Sequence, residues 1–188
     1  MIARYPAISP DQMTSDQRAV VDAIAAGPRG KVRGPYIALL HNAKLADKLQ
    51  ALGEHLRFDT GLAPALVEIA VLVTARRWTC QYEWVAHARI ARGAGLDETI
   101  INAIAQERTP VDMSDDEASI HAFCRQVNER GAPDDVTFDA AKARFGLPAT
   151  LDLIALCGYY SLLAMVLNTA DLPLPDGQEA PLAPRIAA

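Results

Sequence analysis

The sequence is short of several things, and each shortage excludes something. Only three of its 188 residues are cysteine, namely Cys80, Cys124 and Cys157. They are too widely spaced for a CxxC pair or a zinc-type cluster, and an odd number of isolated thiols suits a reducing cytoplasm. Basic residues do not outnumber acidic ones: the formal net charge is -5, and no stretch of Lys and Arg stands out as a groove for phosphate. Neither nucleic acid nor an anionic membrane is an expected partner for such a chain. Runs of alternating apolar and polar residues bounded by turn signals are absent, which removes the signal for strands. The most apolar stretch, 153–167, is broken by Gly158, Tyr159, Tyr160 and Ser161 and is too short to span a bilayer, so it reads as a buried core helix. The start, MIARYPAISPDQM, lacks the charged-then-apolar layout of a secretory leader.

What is present is helical periodicity, and the chain reads as all-α. Helices are expected over 11–26, 36–41, 45–58, 64–78, 80–91, 97–105, 114–129, 134–145 and 148–169. Pro64 suits a first helical position, Thr79 is a plausible N-cap for the helix after it, and Ser114 with Glu117 forms a capping box closed by Gly131. Three parts are expected: an N-terminal helix and linker arm (1–34), a helical domain (35–170) and a proline-rich tail (171–188) that is disordered or lies on a neighbouring subunit.

The chemistry concentrates in two adjoining helices. In LAPALVEIAVLV, Glu68 is surrounded by apolar residues on every helical face, so its carboxylate is buried and must be paired, hydrogen-bonded or protonated. It could pair with Arg76 or Arg77, or it could orient a base on the next helix. That helix opens with TCQYEWVAH, where Cys80, Glu83, Trp84 and His87 share one face at about 100° per residue. His87 is the natural partner for Glu68. A carboxylate on one imidazole nitrogen fixes the tautomer and leaves the other nitrogen for proton transfer. Glu83, one turn earlier, could be an acid, a base, a second orienting group or only an i, i+4 companion of His87. Cys80 is either a reactive thiol at a helix start or a small buried hydrophobe. Trp84, Tyr159 and Tyr160 are candidates to line a pocket or the core. The spacing fits neither H-E-x-x-H nor the Glu-x-x-His pairs of di-iron bundles, so no metal is expected.

Glu68, Cys80, Glu83 and His87, in that order and spacing, resemble the carboxymuconolactone decarboxylase and alkylhydroperoxidase D superfamily. The flanks RGPYIALLHNAKLADKLQALGEHLRF and ARGAGLDETIINAI resemble it too. The hydroperoxidase branch carries a CxxC pair served by the glutamate and histidine, but here Glu83 stands at the second cysteine position, so the likeness is to the decarboxylase branch. The resemblance implies an all-helical antiparallel fold with a central helical hairpin, assembly into trimers or hexamers, and a proton relay acting without a cofactor while carbon dioxide leaves a lactone acid. The expected function is therefore a cofactor-free lyase on a small carboxylated or carbonyl compound. His87 would be the shuttle, Glu68 its orienting group and Glu83 a second acid/base, with Cys80 and Trp84 shaping the pocket. The alternatives are a peroxidase using Cys80 as a single active thiol, and a non-catalytic oligomeric scaffold.

Overall fold

The structure, a computed structural model, describes residues 4–174 and 177–184. Among them every regular element is helical: α1 (Ser15–Ala26), α2 (Pro35–Leu39), α3 (Ala43–Phe58), α4 (Pro64–Arg77), α5 (Gln81–Gly93), α6 (Glu98–Ala105), α7 (Asp115–Arg130) and α8 (Asp135–Ala170). This is the all-α fold expected for the superfamily. Short 3₁₀ turns at Pro10–Gln12 and Leu40–Asn42 precede α1 and α3, and the first of them explains why helical spacing begins at 11 although α1 itself starts at Ser15.

The core is built round α4. Every residue from Leu66 to Arg76 is buried, because α5, α6, α7 and α8 all pack against this helix and leave it no solvent face. Packing of that kind replaces the amphipathic stripe of a surface helix, which is why Glu68 has no polar neighbour in its own sequence. The expected capping box, Ser114 with Glu117, starts α7, and Gly131 closes it in the left-handed conformation at φ 82°.

The turn from α4 to α5 departs from expectation. Thr79 is not the N-cap; it takes the left-handed conformation, with φ 46°, while Cys80 caps α5 with extended backbone and no side-chain cap bond. Reversing the chain this abruptly needs a positive φ just past the end of α4. There the Thr79 and Cys80 amides bond back to the Arg76 and Ala75 carbonyls at 3.0 and 2.9 Å. The Thr79 hydroxyl is in turn held by Arg76 Nη1 at 3.2 Å.

The two helices expected at 134–145 and 148–169 are both present within α8, divided at Gly146, where φ 81° and ψ 168° break the helix just before Pro148. α8 has the length and hydropathy of a helix that could cross a membrane, yet half of its most apolar window is buried inside the chain. In the N-terminal segment, Val20 and Ile24 of α1 are buried against α3 and its neighbours. The described part of the tail folds back on its own chain: Leu182 is buried, and its amide and carbonyl both bond the Gln81 side chain, at 2.9 and 2.8 Å. The remainder of that tail, 175–176 and 185–188, lies outside the described residues.

Gly53 lets α3 and α8 meet. A Cβ there would overlap the Tyr159 hydroxyl and the Arg29 guanidinium. Gly53→Ala is expected to cost about 1–3 kcal/mol, the usual penalty for overpacking a filled site, read as a lower urea midpoint at unchanged slope. A loss under about 0.5 kcal/mol would mean that Tyr159 can yield.

Candidate active site

The hairpin brings Glu68 of α4 against His87 of α5. Glu68 Oε2 and His87 Nδ1 are 2.7 Å apart, with the two residues only 4% and 7% exposed. The buried carboxylate therefore finds its partner in His87 and not in Arg76, whose Nη2 instead pairs with Glu107 Oε2 at 3.2 Å. This bond occupies Nδ1, and Nε2 is the nitrogen left over. Tyr160 packs edge-on to the imidazole, ring centroids 5.0 Å apart, and fixes the plane of the ring.

His87, Glu83 and Tyr160 open into one cavity of about 330 Å³. Glu83 is 3% exposed, and its Oε2 has no hydrogen-bond partner. Burial holds the Glu83 carboxyl well above the ordinary carboxylate range; Arg57 opposes that shift and Glu68 adds to it. Glu83 thus holds its proton more tightly than a solvated carboxyl group does, on the wall of the cavity. The hairpin thus carries two buried carboxyl groups, one bonded to the imidazole and the other with Oε2 left unpartnered.

The cavity walls correct the sequence reading of charge. Five cationic side chains, Arg29, Lys31, Arg33, Arg57 and Arg89, line it. Four of these come from elements other than α5, so a chain of net charge -5 still builds a basic groove. Residues 28–34, part of the expected linker arm, line its wall with Pro28, Arg29, Lys31, Arg33 and Gly34. Gly34 turns there at φ 59°, lying so close to the Tyr82 ring that a Cβ would be 3.1 Å from Cε1, and only glycine meets both demands. Behind the wall Arg29 Nη2 donates to the Tyr159 hydroxyl at 3.3 Å, which pairs with Tyr36 Oη at 2.8 Å. The Nε atoms of Arg29 and Arg57 are buried without a partner. Sequence reasoning missed Arg29, Arg33, Arg57 and Tyr36, although the cluster PRGKVRGPY was the available signal.

The remaining candidates fall elsewhere. Tyr160 lines the cavity, whereas Tyr159 reaches it only through Tyr36 and Arg29. Trp84 belongs to the apolar core and is not on the cavity wall. Cys80 is 0% exposed, packs with Ala164 and Leu167, and has its thiol pushed up to about 12 by burial and by Glu83, so it is the small buried hydrophobe of the two readings offered for it. Cys124 and Cys157 share a hydrogen bond in the core, a contact their distance in sequence hides. No cluster able to hold a metal ion is found among the described residues.

A helical hairpin that presents a glutamate, a helix-start cysteine and a histidine on one buried seam is consistent with the alkylhydroperoxidase D-like fold that the resemblance implies. Residues 43–123 match the sequence model of the Carboxymuconolactone decarboxylase family, a span that runs from α3 into α7 and holds Glu68, Cys80, Glu83 and His87. Over that span the chain is similar to the family. No curated protein matches the chain.

Because the Glu83 pKa is raised, folded protein binds this proton where unfolded chain has lost it. Glu83 therefore contributes stability that is full below the unfolded value of about 4.5 and is lost as pH rises through the higher folded value. Relative to Glu83→Gln, the wild type should lose stability as pH rises above about 4.5, with a slope of at most about 1.4 kcal/mol per pH unit until the folded value is passed. Urea midpoints of the two proteins that stay parallel over that range would show that Glu83 is ionised when folded.

Proposed function

We propose that the chain is a carboxymuconolactone decarboxylase-like lyase that acts on a small carboxylated compound through the Glu68–His87 pair, with Glu83 as the acid. The observation that carries this reading is one buried imidazole, fixed on Nδ1 by Glu68, facing a basic cavity whose wall also holds the buried Glu83 carboxyl, with its pKa raised by burial. The cationic wall would hold a substrate carboxylate. The bond from a substrate carbon to its carboxylate carbon breaks, and its electron pair moves into the conjugated lactone carbonyl. Carbon dioxide leaves, and the carbon takes a proton from Glu83 or from His87, which is later recovered from water. The lactone carbonyl serves as the electron sink, so this route calls for no cofactor. A single-thiol peroxidase cycle finds no support in the geometry, because Cys80 is sealed from the cavity and its thiol is held protonated.

His87→Asn keeps bulk but cannot shuttle a proton, and turnover of small lactone acids or β-keto acids should fall roughly 10²-fold or more. Glu68→Gln should act in the same direction, and the double variant should lose less than the product of the two effects, since both residues serve one proton path. Cys80→Ser should leave turnover within a few-fold of wild type. Equal turnover by wild type and His87→Asn would make the imidazole structural and remove the proposal.

We further infer that the chain assembles with copies of itself. Leu147, Leu151, Ile154 and Met165 are 42–66% exposed and, at helical spacing, fall in one narrow stripe along α8. Gly158 lies on the same stripe with open space around it, which lets a second helix approach closely. Light scattering should give a multiple of 20.3 kDa, and Leu151→Glu should reduce it toward the monomer. A wild-type monomer at micromolar concentration would overturn this inference.

A further inference from the structure

A second, smaller cavity lies between the C-terminal end of α4 and the helices α6 and α7, and it shares no lining residue with the catalytic cavity. Four guanidinium groups converge on it, from Arg76, Arg77, Arg108 and Arg125, together with the imidazole of His121. Two carboxylates, Glu107 and Glu129, share the wall, so positive charge is in excess. Both are already engaged with arginines of the same cluster, Glu107 with Arg76 at 3.2 Å and Glu129 with Arg125 at 2.9 Å. The apolar floor is Val73 and Ile104.

Two features set this cavity apart from a surface ion-pair network. Arg76 and His121 are each only 5% exposed, and the Arg76 Nε is buried with no partner at all. His121 makes no hydrogen bond with the described residues although it lines the cavity, and burial together with Arg125 pushes its pKa down to about 4, so at pH 7 the neutral ring still has an N–H to give. Cationic and polar groups left this way in a buried wall are costly unless something completes them. The cavity volume, about 60 Å³, is several times the roughly 10–15 Å³ that one water requires. It admits one small oxyanion and is far too small for a nucleotide.

We propose that this cavity is a binding site for a single small oxyanion of phosphate or carboxylate type, held by Arg76, Arg108, Arg125 and His121. The site also bears on the catalytic hairpin. The guanidinium of Arg76 that faces the cavity donates to Thr79 in the left-handed turn, and that turn sets α5, with Glu83 and His87, against Glu68. An anion drawing on Arg76 therefore acts at the joint between the two catalytic helices. This inference does not depend on which reaction the other cavity performs.

The test is a titration of the full chain with inorganic phosphate at constant ionic strength, following the His121 ring resonances by NMR and the thermal midpoint. In wild type both should change and saturate, because a bound anion favours the imidazolium and stabilises the folded state. Arg108→Gln/Arg125→Gln, altered only at exposed positions, should bind at least about tenfold more weakly, the fold-change of one lost charge-assisted hydrogen bond. Arg33→Gln on the catalytic cavity should leave the His121 response intact. A His121 signal that drifts without saturating, or a double variant that titrates like wild type, would overturn the site. So would a saturable response that Arg33→Gln abolishes, since phosphate would then be bound in the other cavity. Acetate in place of phosphate separates a carboxylate preference from a phosphate one.

Discussion

The 2.7 Å hydrogen bond between Glu68 and His87 is the constraint on which the rest of the structure depends. Each partner alone would be an uncompensated polar group in a helix pair that excludes water, at a cost of several kcal/mol. Together they satisfy one another, but only if α4 and α5 keep a single register. A shift of either helix by one residue would rotate one partner by about 100° and leave both stranded. The short reversal at Trp78, Thr79 and Cys80 enforces that register, which accounts for a β-branched residue in the left-handed conformation there.

The same bond divides the work of the site. By taking Nδ1, Glu68 leaves Nε2 as the other nitrogen of His87. Glu83 sits one turn away with no such partner, and burial keeps its proton on. The two carboxyl groups of the hairpin thus differ because one was given a hydrogen-bond donor and the other was left with Oε2 unpartnered. Arg57 opposes the upward shift of Glu83 without abolishing it. The cationic wall can therefore attract an anion while burial still favours the proton on the neighbouring acid.

Charge is distributed to match. The chain is acidic overall, yet both of the cavities described above are lined by arginines. Arginine suits such walls because its stem packs on apolar neighbours while the planar head presents several donors. In the larger cavity these heads stand on a tyrosine pair, Tyr36 with Tyr159, and Gly53 makes room for them under α8. Composition averages such local concentrations away.

The seam of Glu68, Cys80, Glu83 and His87 was legible in the sequence because helical spacing alone places the last three on one face, and an acidic residue inside an all-apolar helix needs a partner. The all-α class and the capping of α7 were legible for the same reason, since both rest on interactions within a few residues. What the sequence left open was every contact made across the fold. Cys80 and Trp84 share a face with His87, but whether that face meets a cavity or a neighbouring helix depends on α8, more than sixty residues away, which seals Cys80 with Ala164 and Leu167. Arg29, Arg33 and Arg57 looked like a linker and a helix end until the chain folded them round His87. Local periodicity determined which residues could act together. Only tertiary packing, by deciding which of them water and ligands can reach, determined which of them face the cavity.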